Sequence, residues 1–368
     1  MNKITFYPLG NADCCLIELE NGKLILFDYA NMRSSEEDDL RIDLQEALKE
    51  RLADLEKNYF DVVAITHADK DHIKGFSEFF YLEHAEKYQD EDRIQIKELW
   101  VPAAVILEKG ASDEDRILRQ EARHRLIEGE RIRVFSNPEI LADWLDKQDL
   151  TVEDREPLIT HAGEIIPGFS KDEDGVDFFV HAPFSVTIGD DENFIRNDAA
   201  LVVQGEFAVE DEVTRLLLGA DIAHEGWQQI VKITKYYENM PRLAWDIFKI
   251  PHHCSYLSLN NEKGDDITEP IKEVEELFEL GFEHGILIST SDPIPDEDTD
   301  QPPHRQAAKY YITVAEELDG EFVVTMEHPR NSAPAPLVIE ISTNKAKIIK
   351  RSGTVYTTLR SRSTPRAG

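Results

Sequence analysis

The segment Y-F-D-V-V-A-I-T-H-A-D-K-D-H-I-K-G, Tyr59 to Gly75, constrains this chain more than any other stretch. Val62, Val63, Ala64 and Ile65 form a short unbroken apolar run without a helical stripe, the pattern of a strand buried on both faces. The run stops at His67, Asp69, Asp71 and His72, four ligand-type side chains within six residues. A strand cannot aim all four one way, but a loop leading into a helix around Ile73 to Tyr81 can bring them together. Crowded carboxylates and imidazoles repel or desolvate one another unless a cation sits among them. The stretch therefore predicts a metal site. Taken alone, it also fits a polar turn capping a helix, since Asp suits the N-cap and first turn.

Two later stretches favour the metal. Arg215 to Asp221, R-L-L-L-G-A-D, is a second apolar run ending in an acid, and Asp246 to Ser255, D-I-F-K-I-P-H-H-C-S, is a third ending in paired histidines. Three strands that each deliver a ligand predict loops from one sheet edge meeting at a single site. Pro251 cannot continue a ladder and ends its strand where a ligand is wanted. His252, which follows immediately, is the expected ligand, and His253 is expected to bond substrate or water.

T-H-A-D-K-D-H-I-K-G resembles the signature loop of the metallo-β-lactamase superfamily, H-x-H-x-D-H followed by glycine, with Asp69 in place of the second histidine. The H-x-D-x-D-H form looks most like the metallohydrolase domain of the ComEC-type competence proteins. Further segments agree in order: I-T-F-Y-P-L-G-N-A-D-C-C-L-I-E-L, N-G-K-L-I-L-F-D, H-A-P, N-D-A-A-L-V-V, L-L-G-A-D-I and I-P-H-H-C-S, then I-S-T-S-D with P-P-H-R. The resemblance spans roughly residues 3 to 340, apart from 80 to 175. It implies an α/β fold, a four-layer αββα sandwich, with a helical insertion at about 80–175 in a single domain over 1–350 and a loosely ordered tail over 351–368. It also implies one or two divalent cations, zinc or manganese, held by His67, Asp69, Asp71, His72, Asp221 and His252, with Asp221 placed to bridge. Where relatives carry a further histidine ligand this chain has Asn197 and Asp198, a second departure toward oxygen. Asp28 is expected either to orient a ligand histidine or to be a turn residue, and Asp13 shares that ambiguity.

Local patterns fill in the remainder. Lys3 to Tyr7, Cys14 to Leu19 and Lys23 to Phe27 read as strands, the last after the Asn21-Gly22 turn signal. Leu40 to Lys57 has the apolar spacing of an amphipathic helix covering one sheet face. Residues 80 to 150 read as largely helical, with cap signals at Ser112 and at Ser136-Asn137, and are expected to form a cap shaping the cleft. Pro293 to Pro303 reads as an acidic loop that delivers His304 over the cleft.

Net charge restricts the partners. With 74 acids against 40 Lys plus Arg the formal charge is -34, and such a chain repels polyanions overall. This disfavours tight nonspecific DNA binding without excluding a nucleotide or nucleic-acid substrate. Three cysteines with no repeated C-x-x-C spacing predict neither a disulfide scaffold nor a zinc ribbon. Nothing approaches a membrane-spanning run, and Met1 to Leu26 lacks the pattern of a signal peptide, so a cytoplasmic protein without membrane contact is expected. The sequence names no protein partner.

The expected function is hydrolysis by a metal-activated water, with Asp71, His253 and His304 as catalytic residues. A phosphodiester in nucleic acid or a nucleotide is the favoured substrate. The alternatives are a small anionic or acyl substrate such as a lactone or ester, and a non-catalytic metal-stabilised interaction module in a multiprotein system.

Overall fold

The computed structural model describes residues 1–108, 112–184 and 199–349; Asn197, Asp198 and the expected tail over 351–368 lie outside them. The described strands begin with β1 (Asn2–Phe6), β2 (Cys15–Glu18), β3 (Leu24–Phe27), β4 (Tyr59–Ala64), β5 (Gln95–Pro102), β6 (Ile132–Phe135) and β7 (Ile159–Thr160). They continue with β8 (Val176–Ala182), β9 (Val202–Val209), β10 (Glu212–Leu218), β11 (Trp245–Lys249), β12 (Gly281–Ser289), β13 (Glu321–Val324), β14 (Leu337–Ser342) and β15 (Lys345–Ile348). Two sheets result. One runs β15-β14-β1-β2-β3-β4-β5-β6-β7, and the other β13-β12-β11-β10-β9-β8. Each is antiparallel at one side and parallel at the other: β3 to β7 are parallel in the first, β10 to β13 in the second.

Alternating side chains divide the molecule into layers, because successive residues on a strand face opposite ways. Ile25, Phe27, Val62, Ala64 and Trp100 from the first sheet meet Phe178, Leu216, Leu218, Ile247, Ile286 and Ile288 from the second in a core between the sheets. Leu24, Leu26, Val63, Leu99 and Val101 turn the other way, onto Leu44, Leu48 and Leu52 of the helix Leu44–Asp54 and onto Leu118, Ala122 and Leu126 of the helix Asp113–Glu128. Leu217, Phe248 and Leu287 likewise cover Trp227, Ile230 and Val231 of the helix His224–Tyr236 and Ala307, Tyr311 and Val314 of the helix Arg305–Glu317. The chain is a four-layer αββα sandwich. The apolar run of β4 is buried on both faces because it lies between helices and the partner sheet.

Segment 80–175 carries the expected helices Asp113–Glu128 and Pro138–Asp146, capped by the side chains of Ser112 and Asn137. It also holds β5, β6 and β7, which prolong the first sheet. Leu118, Ala122, Leu126, Leu141 and Leu145 of those helices join the layer on its outer face, where the sequence suggests a cap over the cleft. The helix expected from Ile73 to Tyr81 is two single turns, Lys70–Ile73 and Phe76–Phe79, parted at Gly75, whose φ of 83° favours a residue without Cβ. Among the described residues no helix is long and apolar enough to cross a membrane.

A buried ion network holds the helix Asp113–Glu128 to β5. Arg125 donates to Glu121 at 2.7 Å and to the carbonyls of Ile96 and Arg131 at 3.2 and 3.0 Å, and His84 Nδ1 lies 2.9 Å from the same carboxylate. Burial alone would raise the Glu121 pKa, but His84 and Arg125 bring it down to about 2. Arg125→Leu strands that charge in the core, and denaturant unfolding is expected to show a loss of about 3–5 kcal/mol.

Candidate metal centre

The loops that follow β4, β10, β11 and β12 meet at one edge of the sandwich, joined by Asp13 from the β1–β2 turn and Asp28 from the end of β3. The convergence is anchored by main-chain bonds: Asp28 N donates to Ala64 O at 2.8 Å, Asp13 N to Asp71 O at 3.0 Å, and Tyr29 N to His72 O at 2.9 Å. Gly219 lets the end of β10 press against β11. A Cβ there would come within 2.9 Å of Trp227 Cζ2 and 3.2 Å of the Lys249 carbonyl oxygen.

His72 is fully buried and its tautomer is set from behind. Asp28 Oδ2 lies 2.8 Å from Nδ1, and both Asp28 oxygens accept from Thr66, from its N–H at 2.7 Å and its hydroxyl at 2.8 Å. A carboxylate only accepts, so Nδ1 carries the proton and Nε2 presents a lone pair. That lone pair faces Asp221 Oδ2 at 3.3 Å without a well-formed hydrogen bond. Asp28 therefore orients a ligand-type histidine, which resolves the ambiguity of the sequence.

His253 repeats the arrangement from the other sheet. Its Nδ1 lies 2.8 Å from the Thr290 carbonyl oxygen, and its Nε2 lies 3.1 Å from Asp71 Oδ2, within hydrogen-bond distance, and 3.4 Å from Asp221 Oδ2. Four donor atoms, one each from Asp71, His72, Asp221 and His253, thus lie within 4.8 Å of one another. Lone pairs facing lone pairs repel unless a proton or metal cation lies between them. The electrostatics agree. Burial alone would depress the His253 pKa, but Asp221, Asp71 and Asp13 reverse this and push it up to about 10. For His72, Asp28 and Asp221 overcome burial in the same way and raise the pKa well above the usual imidazole range. Two imidazoles and two carboxylates suit a divalent cation of the zinc or manganese type.

Of the residues singled out in the sequence, Asp71, His72 and Asp221 belong to this cluster, and it takes His253 where the sequence favours His252. His252 instead bonds Asp221 Oδ1 through its N–H at 3.2 Å, while its Nδ1 is buried without a partner. His67 lies against His72 with ring centroids 3.8 Å apart, and its Nε2 is another buried nitrogen without a hydrogen bond. Burial and the neighbouring His72 bring its pKa down to about 4, which keeps it neutral. Asp69 Oδ2 is 3.8 Å from that Nε2. His304 lies beside the turn of the paired histidines: its N–H donates to Cys254 O at 3.1 Å, its ring meets Tyr256 at 4.9 Å, and its Nε2 is buried without a hydrogen bond.

Sequence reading missed Lys249, Thr66 and Thr290. Lys249 is 4% exposed, and its ammonium donates to Asp13 and, at 3.1 Å, to Ala220 O, with Asp221 Oδ1 at 3.7 Å. A lone lysine inside the apolar run I-F-K-I-P was the available signal. The backbone also departs from sequence expectation here. His252, His253 and Cys254 are consecutive left-handed residues with φ of 50°, 50° and 64°. Left-handed backbone costs a non-glycine residue about 1–2 kcal/mol, and such strain concentrates at functional sites.

No protein-family model matches the chain, and no curated protein does. Among solved structures it is similar to the metallo-beta-lactamase fold protein YhfI from Bacillus subtilis, 11% identical over 92% of this chain and 100% of that one, TM-score 0.43. It is similar also to unliganded yeast PDE1, 13% identical over 88% and 97% of the two chains, TM-score 0.43. A third likeness is to Tm1679, a metal-dependent hydrolase of the beta-lactamase superfamily, 14% identical over 93% and 100%, TM-score 0.40.

Asp28→Asn keeps the shape but weakens the acceptor that orients His72. Zinc affinity measured by chelator competition is expected to fall about 10–100-fold, while the fold is retained by circular dichroism.

Proposed function

We propose that the chain is a metal-dependent hydrolase of phosphodiester bonds in nucleic acid or nucleotides. The observation that carries the reading is the pair of imidazoles, one from each sheet, whose Nε2 atoms converge on the carboxylates of Asp71 and Asp221 at 3.1 to 3.4 Å. A divalent cation bound there would lower the pKa of water and stabilise charge on a phosphoryl oxygen. His72, His253, Asp71 and Asp221 are the assigned ligands, with His67, Asp69 and His252 beside them for one or two cations. The oxygen-rich set favours manganese as well as zinc. The ComEC-type form of the H-x-D-x-D-H loop supports a phosphodiester substrate.

Asp71 has a further role in this reading. It is the only member of the four that is not buried, so solvent and substrate reach the centre on its side. Burial alone would raise its pKa, but the hydrogen bond from His253 and the neighbouring His72 together hold its carboxyl well below the usual range. Asp71 therefore remains ionised at neutral pH, able to hold a cation and to orient a water by accepting its hydrogen bond. His253, committed through Nδ1 to Thr290, holds that carboxylate in place, and His304 supports the turn that carries His253.

The charge of -34 favours a second reading, hydrolysis of a small anionic or acyl molecule. Metal analysis of the purified chain, with a zinc- or manganese-supplemented screen of single- and double-stranded DNA, RNA and phosphodiester reporters, tests both. Turnover is expected to vanish with chelator, return with metal, and fall on the order of a hundredfold or more in Asp71→Ala. Activity that survives in that variant would sink the hydrolase assignment. For a polymer substrate KM is expected to rise steeply with salt, because each neutralised phosphate contributes to the slope; a flat response selects the small substrate.

A further inference from the structure

Lys249 has no part in ligand binding or water activation, yet it occupies the most anionic interior of the molecule. It ends β11 between Phe248 and Ile250, where an aliphatic side chain would pack at no electrostatic cost. Among the described residues it is the only lysine or arginine within 4.0 Å of a carboxylate of Asp13, Asp28, Asp71 or Asp221. Its ammonium bonds Asp13 and the Ala220 carbonyl oxygen, and stops 3.7 Å short of Asp221 Oδ1. That oxygen takes the His252 N–H instead, which leaves Oδ2 as the oxygen facing His72 and His253. A cavity of about 20 Å³ adjoins the lysine, lined by Asp13, Asp28, Thr66 and Thr290 together with apolar side chains such as Phe6 and Phe27.

We propose that Lys249 is a built-in counter-ion that competes with the metal for Asp221, and that Asp13 is the positioning residue that holds it back. The inference rests on the metal-centre reading. Without metal, the ammonium offsets the repulsion among Asp13, Asp28, Asp71 and Asp221 and keeps the cage closed. With metal bound, the same charge opposes the cation, and the bond to Asp13 limits that opposition. Neutralising Asp13 leaves Asp221 as the nearest carboxylate to the ammonium, which then closes the gap at the expense of metal. Removing the ammonium has the reverse effect.

The test is chelator-competition titration of zinc or manganese into the full chain after metal stripping, with thermal melts of the stripped protein. Lys249→Met is expected to bind metal about tenfold more tightly than the parent while melting at lower temperature when stripped. Asp13→Asn is expected to bind about tenfold more weakly, and the charge-conserving double variant to return close to the parent. A purely structural role predicts weaker binding in all three variants, and that result overturns the proposal. Should Lys249→Met not fold, Asp13→Glu against Asp13→Asn decides: recovery with Glu supports the counter-ion, and equal loss in both rejects it. A parent protein that binds no divalent cation removes the metal-centre reading itself, whereas a parent that binds normally beside unchanged variants overturns only the role of Lys249.

Discussion

Two imidazole nitrogens aimed at two carboxylates inside a protein form an unstable arrangement unless a proton or cation lies among them. This constraint explains why the edge of the sandwich is built as it is. Asp28 and the Thr290 carbonyl, at 2.8 Å from the two Nδ1 atoms, prevent either ring from turning its nitrogen away. Thr66 fixes Asp28 through both carboxylate oxygens. The rigidity is bought with strain: Asp28, Ala220, His252, His253 and Cys254 all lie in the left-handed region with φ between 47° and 64°. Tertiary packing over-determines these backbones, as it must for strained turns to persist.

Neither sheet carries the centre alone. His67, Asp71 and His72, with Asp13 and Asp28 behind them, come from the first sheet; Asp221, His253, Lys249 and Thr290 come from the second. Their relative position depends on the apolar layer between the sheets, where Trp100 meets Phe135, Phe169 and Phe178 edge-on at 5.7 to 6.0 Å. Interiors packed at crystal-like density do not slide continuously, so the layer limits how far the two halves of the site can shift against each other. The core is therefore part of the site's precision.

The acidity of the chain has two components with different physical meaning. Most of the excess lies on the surface, in loops such as the one from Pro293 to Pro303, where water solvates it. Asp13, Asp28 and Asp221 are 5%, 2% and 3% exposed, and each is bonded by Lys249, by Thr66 and His72, or by a backbone N–H. This buried set and the partly exposed Asp71 form the candidate metal centre and its support, and composition alone cannot tell them from the rest.

Local pattern was enough to reveal the strands that lead to the site and the kinds of side chain that end them. Buried strands must be apolar, and an abrupt change to His and Asp at a strand end has few structural explanations. The same argument reached Asp28 as one of two options, and the caps at Ser112 and Asn137. Strands β5, β6 and β7 escaped it because they lie among long helical stretches in a segment where helix periodicity dominates the pattern. The choice between His252 and His253 was beyond the sequence for a different reason. Side-chain direction follows φ and ψ, and three successive left-handed residues are a conformation that His-His-Cys does not prefer. Contacts distant in the chain hold that turn, among them Thr290 for one ring, Asp221 and Ala220 for the neighbouring N–H, and the His304 N–H for the Cys254 carbonyl. Sequence thus determined the chemistry delivered to the sheet edge, and the tertiary structure decided which atoms face one another across the candidate metal site and which lysine stands beside it.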